Sequence, residues 1–392
     1  MNPLSSIPCA HTGSSRVALV RCDDYDEARV YDAVGRGLAL LGGVERFANA
    51  RERILLKVNL IAGAAPDRAV TTHPSVLKAA ARHFQRTGAM VSYGDSPGVV
   101  RPETAARKAG MAAVARDLAM DLADFNTGKT VSFPEGLLVK QFTVAQGVLD
   151  SDGLVSLPKL KTHVLTRMTG AVKNQFGCIP GLLKGEFHAR LVEVEPFAQM
   201  LVDLTRFLRP RLYIMDAIVA MEGNGPRGGE PRPMSVLFFS EDPVALDAIA
   251  CRMMALDPAL VPTVRWGAEM GLGMHANVDI LGDPLESFIA PDFIVNRKKT
   301  PIIHSMNGPL ARLLRHSLVP RPVIDASRCT RCGTCVKVCP ARPKAVGFRQ
   351  RTETAAPSYD YSVCLRCYCC QEMCPDSAIS VATPLLGRLL HR

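Results

Sequence analysis

The chain has 392 residues and a net charge of +10, with 47% hydrophobic and 21% charged residues. This composition is typical of a water-soluble globular protein of two or three domains, and no segment reaches the roughly 18 apolar residues of a membrane-spanning helix. Residues 1–16 lack the charged and apolar regions of a signal peptide. Eight of the 13 cysteines lie in two short motifs. This usage fits a reducing compartment better than a disulfide scaffold, so we expect a cytoplasmic protein.

The first three quarters of the chain alternate between strand and helix patterns. Strands are predicted at residues 16–21, 54–60, 89–93, 153–157, 212–217 and 236–240. Helices are predicted at residues 26–41, 74–87, 102–117, 196–208 and 243–256. Several of these helices begin at a proline, whose missing N–H does no harm in the first turn. Strands separated by helices of this length predict an α/β body, residues 1–296, built on a largely parallel sheet.

Basic and polar side chains are concentrated after the fourth predicted strand. Open α/β sheets form their ligand crevices at the carboxyl ends of the strands. Lysines at that edge could hold a carboxylate or phosphate, and histidines could supply a proton, although a solvated basic loop has the same composition. The candidate residues in this part of the chain are Lys159, Lys161, His163, Lys173, Asn174, Lys184 and His188.

Other candidates are spread through the body. His73 is a third possible source of a proton. Four carboxylates could orient the histidines or hold a cation, and these are Asp95, Glu222, Asp242 and Asp247. The glycine-rich segment 223–229 follows a predicted strand, but its prolines exclude the helix of a dinucleotide site, which leaves the binding of an anion or substrate as its candidate role.

The segment after the body is strongly basic. Residues 297–322 are predicted to be a linker, and residues 297–351 contain thirteen lysines and arginines against one acid, Asp325. The net charge of this stretch is +12, which leaves −2 for the rest of the chain. Such a surface suits an acidic electron donor such as ferredoxin or flavodoxin, although it could be plain solvated surface. No aromatic platform accompanies the charge, so nucleic acid is not expected as a partner.

Two stretches around residues 310–318 and 385–392 have the leucine spacing of amphipathic helices. Helices of this kind can lie on membranes, but we expect these two to pack against the body rather than make peripheral membrane contact.

The C-terminal segment, residues 323–392, contains two copies of the motif C-x2-C-x2-C-x3-C-P. In two-cluster ferredoxins, three cysteines of each copy bind one four-iron cube and the fourth binds the other cube. The spacing therefore predicts two [4Fe-4S] clusters in an α+β ferredoxin-like module, with zinc or disulfides as the alternatives. Cluster I is assigned Cys329, Cys332, Cys335 and Cys374, and cluster II is assigned Cys364, Cys367, Cys370 and Cys339.

An ordered series of short segments runs through roughly residues 16–285 of the body. These are Lys57–Leu60, Thr71–Pro74, Gly94–Gly98, Lys159–His163, Val172–Gly177, Asp216–Ile218, Met221–Pro226 and Asp242–Asp247. In this series the body resembles the DUF362 family, many members of which carry a ferredoxin-like tail. Gln175 is a small departure, because an apolar residue is expected there. The resemblance implies an α/β body coupled to iron–sulfur clusters, and it implies no particular reaction.

Together these features predict an iron–sulfur oxidoreductase. The clusters would relay single electrons to a small, anionic substrate bound in the body. We expect Lys161, His163, Lys173, Asn174 and Glu222 to line one pocket near a cluster, since a catalytic acid acts only within hydrogen-bonding range of its substrate. A non-catalytic electron-transfer subunit that docks on a larger enzyme, and a maturation protein that handles metal or sulfur, remain as alternatives.

Overall fold

A computed structural model describes residues 14–298, 318–348 and 355–384. The strands, numbered in chain order, are β1 (Ser15–Arg21), β2 (Arg53–Lys57), β3 (Met90–Gly94), β4 (Asp121–Leu122), β5 (Gly128–Ser132), β6 (Gln141–Ala145), β7 (Gly153–Ser156), β8 (Lys159–His163), β9 (Arg167–Thr169), β10 (Leu212–Glu222), β11 (Glu230–Ser240), β12 (Val278–Gly282), β13 (Arg321–Ile324), β14 (Val346–Gly347), β15 (Ser358–Tyr359) and β16 (Ile379–Ala382).

The helices are numbered in the same way. They are α1 (Glu27–Leu40), α2 (Pro74–Gln85), α3 (Pro102–Lys108), α4 (Met111–Asp117), α5 (Gln146–Leu149), α6 (Ala171–Asn174), α7 (Leu183–Arg190), α8 (Val194–Leu208), α9 (Pro243–Met253), α10 (Pro262–Glu269), α11 (Thr334–Val338) and α12 (Cys369–Met373).

The body is an α/β domain around one mixed sheet of mostly parallel strands. Eight strands follow the order β12-β1-β11-β10-β7-β2-β3-β4, while β8 pairs with β10 and β9 pairs with β8. The strands from β10 to β4 run parallel along this path, and β11 is antiparallel to both of its neighbours. Two separate hydrophobic clusters, each rich in fully buried Leu, Val, Ile and Phe, contain alternate residues of these strands. The sheet is therefore covered on both faces, which confirms the predicted fold class.

Three local features differ from the sequence expectation. The predicted helix at 102–117 is two helices, α3 and α4, because Gly110 between them adopts a positive φ of 73°. Strands β10 and β11 form a long hairpin that extends well beyond the predicted segments. Residues Lys159–His163 are not a loop but the strand β8, which continues the sheet past the end of β7.

The C-terminal module contains two similar halves. Strand β13 pairs with β16 and β14 pairs with β15. A short helix, α11 or α12, follows the first two cysteines of each motif and contains the third. The module packs on the body through α12. The side-chain amide of Gln371 donates hydrogen bonds to the carbonyl oxygens of Asn224 and Gly225 at 3.0 and 3.1 Å, and Asn224 donates to the carbonyl of Ile379 at 3.2 Å.

The predicted amphipathic helix at 385–392, all but the last residue of the one at 310–318, and most of the basic linker lie outside the described residues. Within the described ranges, no helix is long and apolar enough to cross a membrane. The predicted domain boundaries at residues 296 and 322 stay predictions.

Candidate functional site

A cavity of about 360 Å³ lies between the body and the cluster module. On the body side, its walls come from the carboxyl ends of β2 and β3 and from α6 and α7. On the module side, they come from α11, α12 and the residues that follow α11. Both parts contribute functional groups, among them Lys57, Asn59 and Lys173 from the body and Cys339, Cys369 and Glu372 from the module. The cavity is therefore completed by the contact between the two parts.

A buried polar network forms the body side of the cavity. Nζ of Lys57, at the end of β2, lies 2.8 Å from Oδ1 of Asp95, which follows β3. The same Nζ donates to the side-chain oxygen of Asn174 at 3.1 Å, and Asn59 donates to that oxygen at 2.9 Å. Lys161 lies behind this layer and donates to Oδ1 of Asn59 at 2.7 Å. Because each donor has an acceptor, the network holds Asn174 in a fixed orientation at the cavity wall.

Two lysines of the region, the half-buried Lys184 and the buried Lys161, are hydrogen-bonded to protein oxygens. Lys184 donates to the carbonyls of Ser96 and Ile179, each at 2.8 Å, and burial lowers its pKa to about 7. Lys161 donates to the carbonyl of Val70 at 2.5 Å, and burial holds its pKa well below the usual value. Both side chains therefore stabilise the loops around the cavity instead of presenting a free ammonium to it.

Of the body lysines in the cavity wall, Lys173 is the one without a direct partner among the described residues. It is half-buried, and its ammonium makes no hydrogen bond or salt bridge with the part of the chain that the structure describes. Its position is set by Asp247, a buried residue of α9 whose carboxylate accepts the backbone N–H groups of Ala171 and Val172 at the start of α6. Burial raises the pKa of Asp247 to about 7. The charge of Lys173, after that of His163, helps to lower the pKa of Glu372, which also lies in the cavity wall. The cavity thus has a cation without a direct hydrogen-bond or salt-bridge partner among the described residues, which is a usual basis for binding an anion.

Two histidines are close to this cation. Nδ1 of His163 accepts the backbone N–H groups of Leu165 and Thr166, so the proton of the neutral ring is on Nε2. That nitrogen lies 2.8 Å from Oε1 of Glu372 in α12, at ion-pair distance but outside hydrogen-bond geometry. Burial lowers the pKa of His163 to about 4. His163 therefore faces the module at the interface and is not itself in the cavity wall.

His188 does line the cavity. Its ring stacks on Phe197 with 4.5 Å between the centroids, and burial lowers its pKa to about 4. Its Nδ1 is buried and has no hydrogen-bond partner among the described residues. A buried nitrogen without a partner costs free energy, so this position favours a ligand or water that can pair with it.

The remaining predicted residues lie in other places. His73 stacks on Tyr25 at the start of α2, and Lys159 is paired with Asp216 at 2.9 Å in the same buried cluster. Asp242 caps α9. Glu222 accepts the backbone N–H of Ile294 at 2.9 Å. Of the five residues expected to line one pocket, Lys173 and Asn174 are in the cavity wall. The expectation is wrong for the other three, which are Lys161, His163 and Glu222.

The glycine-rich segment that follows β10 contacts the module. Within it, Asn224 and Gly225 accept the hydrogen bonds of Gln371, and Pro226 contributes to the cavity wall. The segment is therefore a surface on which α12 docks, and its expected role in binding an anion or substrate stays a prediction.

Two smaller cavities in the module each bring four cysteines together. One is lined by Cys329, Cys332, Cys335 and Cys374, and the other by Cys339, Cys364, Cys367 and Cys370. These are the two groups of four that the motif spacing predicts. Among the described residues, no three His, Cys, Asp or Glu side chains could hold a single metal ion together. In a [4Fe-4S] cube each thiolate bonds a different iron, so the four sulfurs lie farther apart than they do around one zinc ion. The spacing of the cysteines in each group therefore fits a cube better than zinc.

The two cysteine motifs share a backbone conformation as well as a sequence pattern. Arg331 and Arg366, two residues after the first cysteine, have positive φ angles of 58° and 60°. Gly333 and Tyr368, which precede α11 and α12, have φ angles of 71° and 61°. The left-handed region is costly for a tyrosine and persists only where the surroundings demand it, often at a functional site. Here it turns three successive cysteines towards one cavity.

The comparisons agree with this two-part structure. The model of a domain of unknown function, DUF362, matches residues 54–252, and the model of a 4Fe-4S dicluster domain matches residues 321–375. The fold and the cysteine sites thus define an α/β protein with a C-terminal ferredoxin-type iron–sulfur domain, and a domain of this kind supports iron–sulfur electron transfer. The chain belongs to the DUF362 family, which confirms the resemblance seen in its sequence.

One relative and two solved structures complete the comparison. The chain is 32% identical over 301 residues to "Thylakoid-associated protein sll1697" of Synechocystis sp., covering 76% of this chain and 92% of that protein. The lactate racemase apoprotein of Thermoanaerobacterium thermosaccharolyticum matches with a TM-score of 0.39 and 12% identity, over 63% of this chain and 58% of that one. A Thermotoga maritima protein matches with a TM-score of 0.36 and 13% identity, over 57% of each chain. The chain therefore spans little more than half of either solved structure.

Proposed function

We propose that this protein is an iron–sulfur oxidoreductase that passes single electrons to a small anion bound in the cavity between the body and the module. The module would hold two [4Fe-4S] clusters, each on one of the two groups of four cysteines. When bound, such clusters supply one-electron reduction at low potential. The protein's own residues would bind the anion, orient it and keep water away.

The observation that carries this proposal is a shared wall. Cys339 and Pro340 line both the large cavity and the cavity of the second cysteine group. An anion in the large cavity would therefore lie against a wall that contains Cys339, which is itself a predicted ligand of the second cluster. This proximity favours direct electron transfer over the docking-platform alternative.

The charge and size of the cavity bound the substrate. Lys173 supplies an ammonium without a direct partner from the body, and Lys337 and Arg342 add positive charge from the module. These charges stand against the carboxylates of Glu186 and Glu372 in the same wall. A volume of about 360 Å³ is at the lower end of the range for small-molecule sites. We expect a small carboxylate or oxoanion, held by Lys173 and positioned against Asn174. The unpaired Nδ1 of His188 would accept or donate one hydrogen bond to it.

We also propose that an acidic carrier such as ferredoxin or flavodoxin supplies the electrons. The first cysteine group lies on the outer side of the module, where Cys332 and the neighbouring residues Arg328, Thr330 and Arg331 are exposed. Complementary charge would guide an acidic protein to this surface. Electrons would then enter at the exposed cluster and leave from the cluster beside the cavity.

Single-turnover reoxidation tests the proposal. Anaerobic protein is reduced with dithionite, freed of excess reductant, and mixed with a panel of small reducible anions such as nitrite, sulfite, 2-oxo acids and unsaturated carboxylates. At least one class should reoxidise the clusters faster than buffer, and Lys173→Met should slow that step while leaving dithionite reduction unchanged. Loss of a charge-assisted hydrogen bond of about 1.5–3 kcal/mol corresponds to a slowing of roughly 10- to 150-fold. Equal rates for the panel and for buffer would favour the docking-platform alternative.

A further inference from the structure

The two halves of the cluster module differ at a residue that touches the cysteines. Cys329 and Cys364 begin the two motifs, and the residues five positions before them are Ile324 and Tyr359. Each of these two residues lines the cavity of its own cysteine group. The hydroxyl of Tyr359 donates to Sγ of Cys370 at 3.2 Å, a bond that an isoleucine cannot make.

Most other hydrogen bonds to the sulfurs have a counterpart in the other half. The backbone N–H of Ala345 donates to Cys339 at 3.4 Å, and that of Ala378 donates to Cys374 at 3.3 Å.

A second matched pair lies five residues after the first cysteine of each motif. There the hydroxyl of Thr334 is 3.3 Å from Sγ of Cys332, and the thiol of Cys369 is hydrogen-bonded to Cys367. Among the described residues, the hydroxyl of Tyr359 is therefore the side-chain hydrogen bond to a cluster cysteine that the second group has and the first group lacks.

We propose that the hydroxyl of Tyr359 raises the reduction potential of the cluster held by Cys339, Cys364, Cys367 and Cys370, and so directs electrons from the exposed cluster to the one beside the cavity. A reduced cube carries one more negative charge than an oxidised cube. A hydrogen bond to a thiolate ligand therefore stabilises the reduced state more than the oxidised state.

This contact acts against the effect of burial. Each group has two buried cysteines, but the first group also has the exposed Cys332, whereas the other two cysteines of the second group are half-buried. Contact with water stabilises the more highly charged reduced state, so burial alone would leave the second cluster at the lower potential. Tyr359 offsets this difference. The transfer itself moves one electron from the first cluster to the second, with no proton and no bond made or broken.

The direction of transfer rests on the proposed function, because it matters only if the cavity is where electrons are used. The contribution of Tyr359 to the potential can be measured without any substrate.

Redox titration monitored by electron paramagnetic resonance, on the full chain with both clusters in place, tests the proposal. Tyr359→Phe removes the hydroxyl and keeps the ring. We expect one of the two couples to fall while the other stays unchanged. A tenfold change in the partition of the electron between the clusters corresponds to about 59 mV for a one-electron couple, and we expect a fall of this order.

Two further variants identify the couple and exclude a general effect. Tyr361→Phe is the matched control, because Tyr361 stacks on Tyr359 with 5.6 Å between the centroids but donates its hydroxyl to the carbonyl of Pro322. It should leave both couples unchanged. Ile324→Tyr should raise the couple that Tyr359→Phe does not affect.

The proposal is overturned if Tyr359→Phe leaves both potentials unchanged or lowers them equally at full iron content. It is also overturned if both variants act on the same couple. Reoxidation by the anion panel is a separate measurement. Panel anions that fail to reoxidise the clusters would remove the proposed substrate reduction and leave the role of Tyr359 in setting the potential intact.

Discussion

Replacing Gly185 with leucine should block the cavity without disturbing the fold. Gly185 lies in α7 and in the cavity wall, and a Cβ added there would meet no atom within 4 Å. Glycine inside a helix costs about 0.5–1 kcal/mol relative to alanine, so Gly185→Ala should stabilise the protein by about that amount. Gly185→Leu adds four carbons to the same open space. At roughly 30 Å³ for each atom, the volume share of a water molecule, they would take about a third of the cavity.

The two variants can be compared in the single-turnover assay. One methylene too many in a binding pocket costs roughly 10- to 200-fold in selectivity, so Gly185→Leu should slow reoxidation by the active anion at least tenfold. Gly185→Ala should slow it much less, and both variants should keep wild-type reduction by dithionite and an unfolding temperature no lower than wild type. Wild-type reoxidation by Gly185→Leu would mean that the substrate does not use this cavity. A strongly lowered unfolding temperature would mean that the space beside α7 is not open.

Three other predictions concern the clusters, the donor and pH. Anaerobic protein should contain about eight irons. Cys370→Ser should lose or degrade one cluster, and Cys369→Ser should keep both. Loss of a cluster in Cys369→Ser but not in Cys370→Ser would contradict the ligand assignment. Reduction by ferredoxin should slow steeply as salt rises. The double variant Arg328→Glu and Arg331→Glu should slow it at least tenfold at low salt and leave reduction by dithionite unchanged. A rate that depends on neither salt nor these substitutions would mean that the basic surface does not dock the donor. The pKa of Asp247 is about 7 in the folded protein and 3.8 in the unfolded chain. Between these values the folded state binds one proton more than the unfolded state. The free energy of unfolding should therefore fall between pH 5 and 7 by about 1.4 kcal/mol per pH unit. Asp247→Asn should reduce that slope in urea unfolding, and an unchanged slope would contradict the raised pKa.

The strands of the body were predictable because fully buried parallel strands are continuous apolar runs. The long hairpin was not, since Pro231 and Pro233 in β11 argue against a strand. The pairing explains why they are tolerated: β1 pairs with β11 only from Val236 to Phe239, so both prolines lie where one edge of β11 is open. A proline is acceptable there because its missing N–H interrupts no ladder on that side.

The candidate site was predictable only in part. The sequence indicates that Lys173 and Asn174 lie near the carboxyl ends of strands, but it does not show which lysine stays unpaired. That depends on distant partners, such as the contact of Lys57 with Asn174, 117 positions away. Lys57 itself was missed as a cavity residue, although its place at the end of the second strand was a usable signal. The contribution of Glu372 could not be foreseen, because it requires the docking of the module on the body.

The most direct test of the cavity's role is to detect an anion in it beside a reduced cluster. Inorganic phosphate is a suitable probe, because its ³¹P nucleus couples to the electron spin of a cluster only at close range. Electron–nuclear double resonance of the reduced protein in phosphate should show a ³¹P coupling. The coupling should be lost in Lys173→Met and Gly185→Leu and kept in Gly185→Ala. No coupling in the wild type at saturating phosphate, or an equal coupling in all four proteins, would contradict an anion site shared between the body and the clusters.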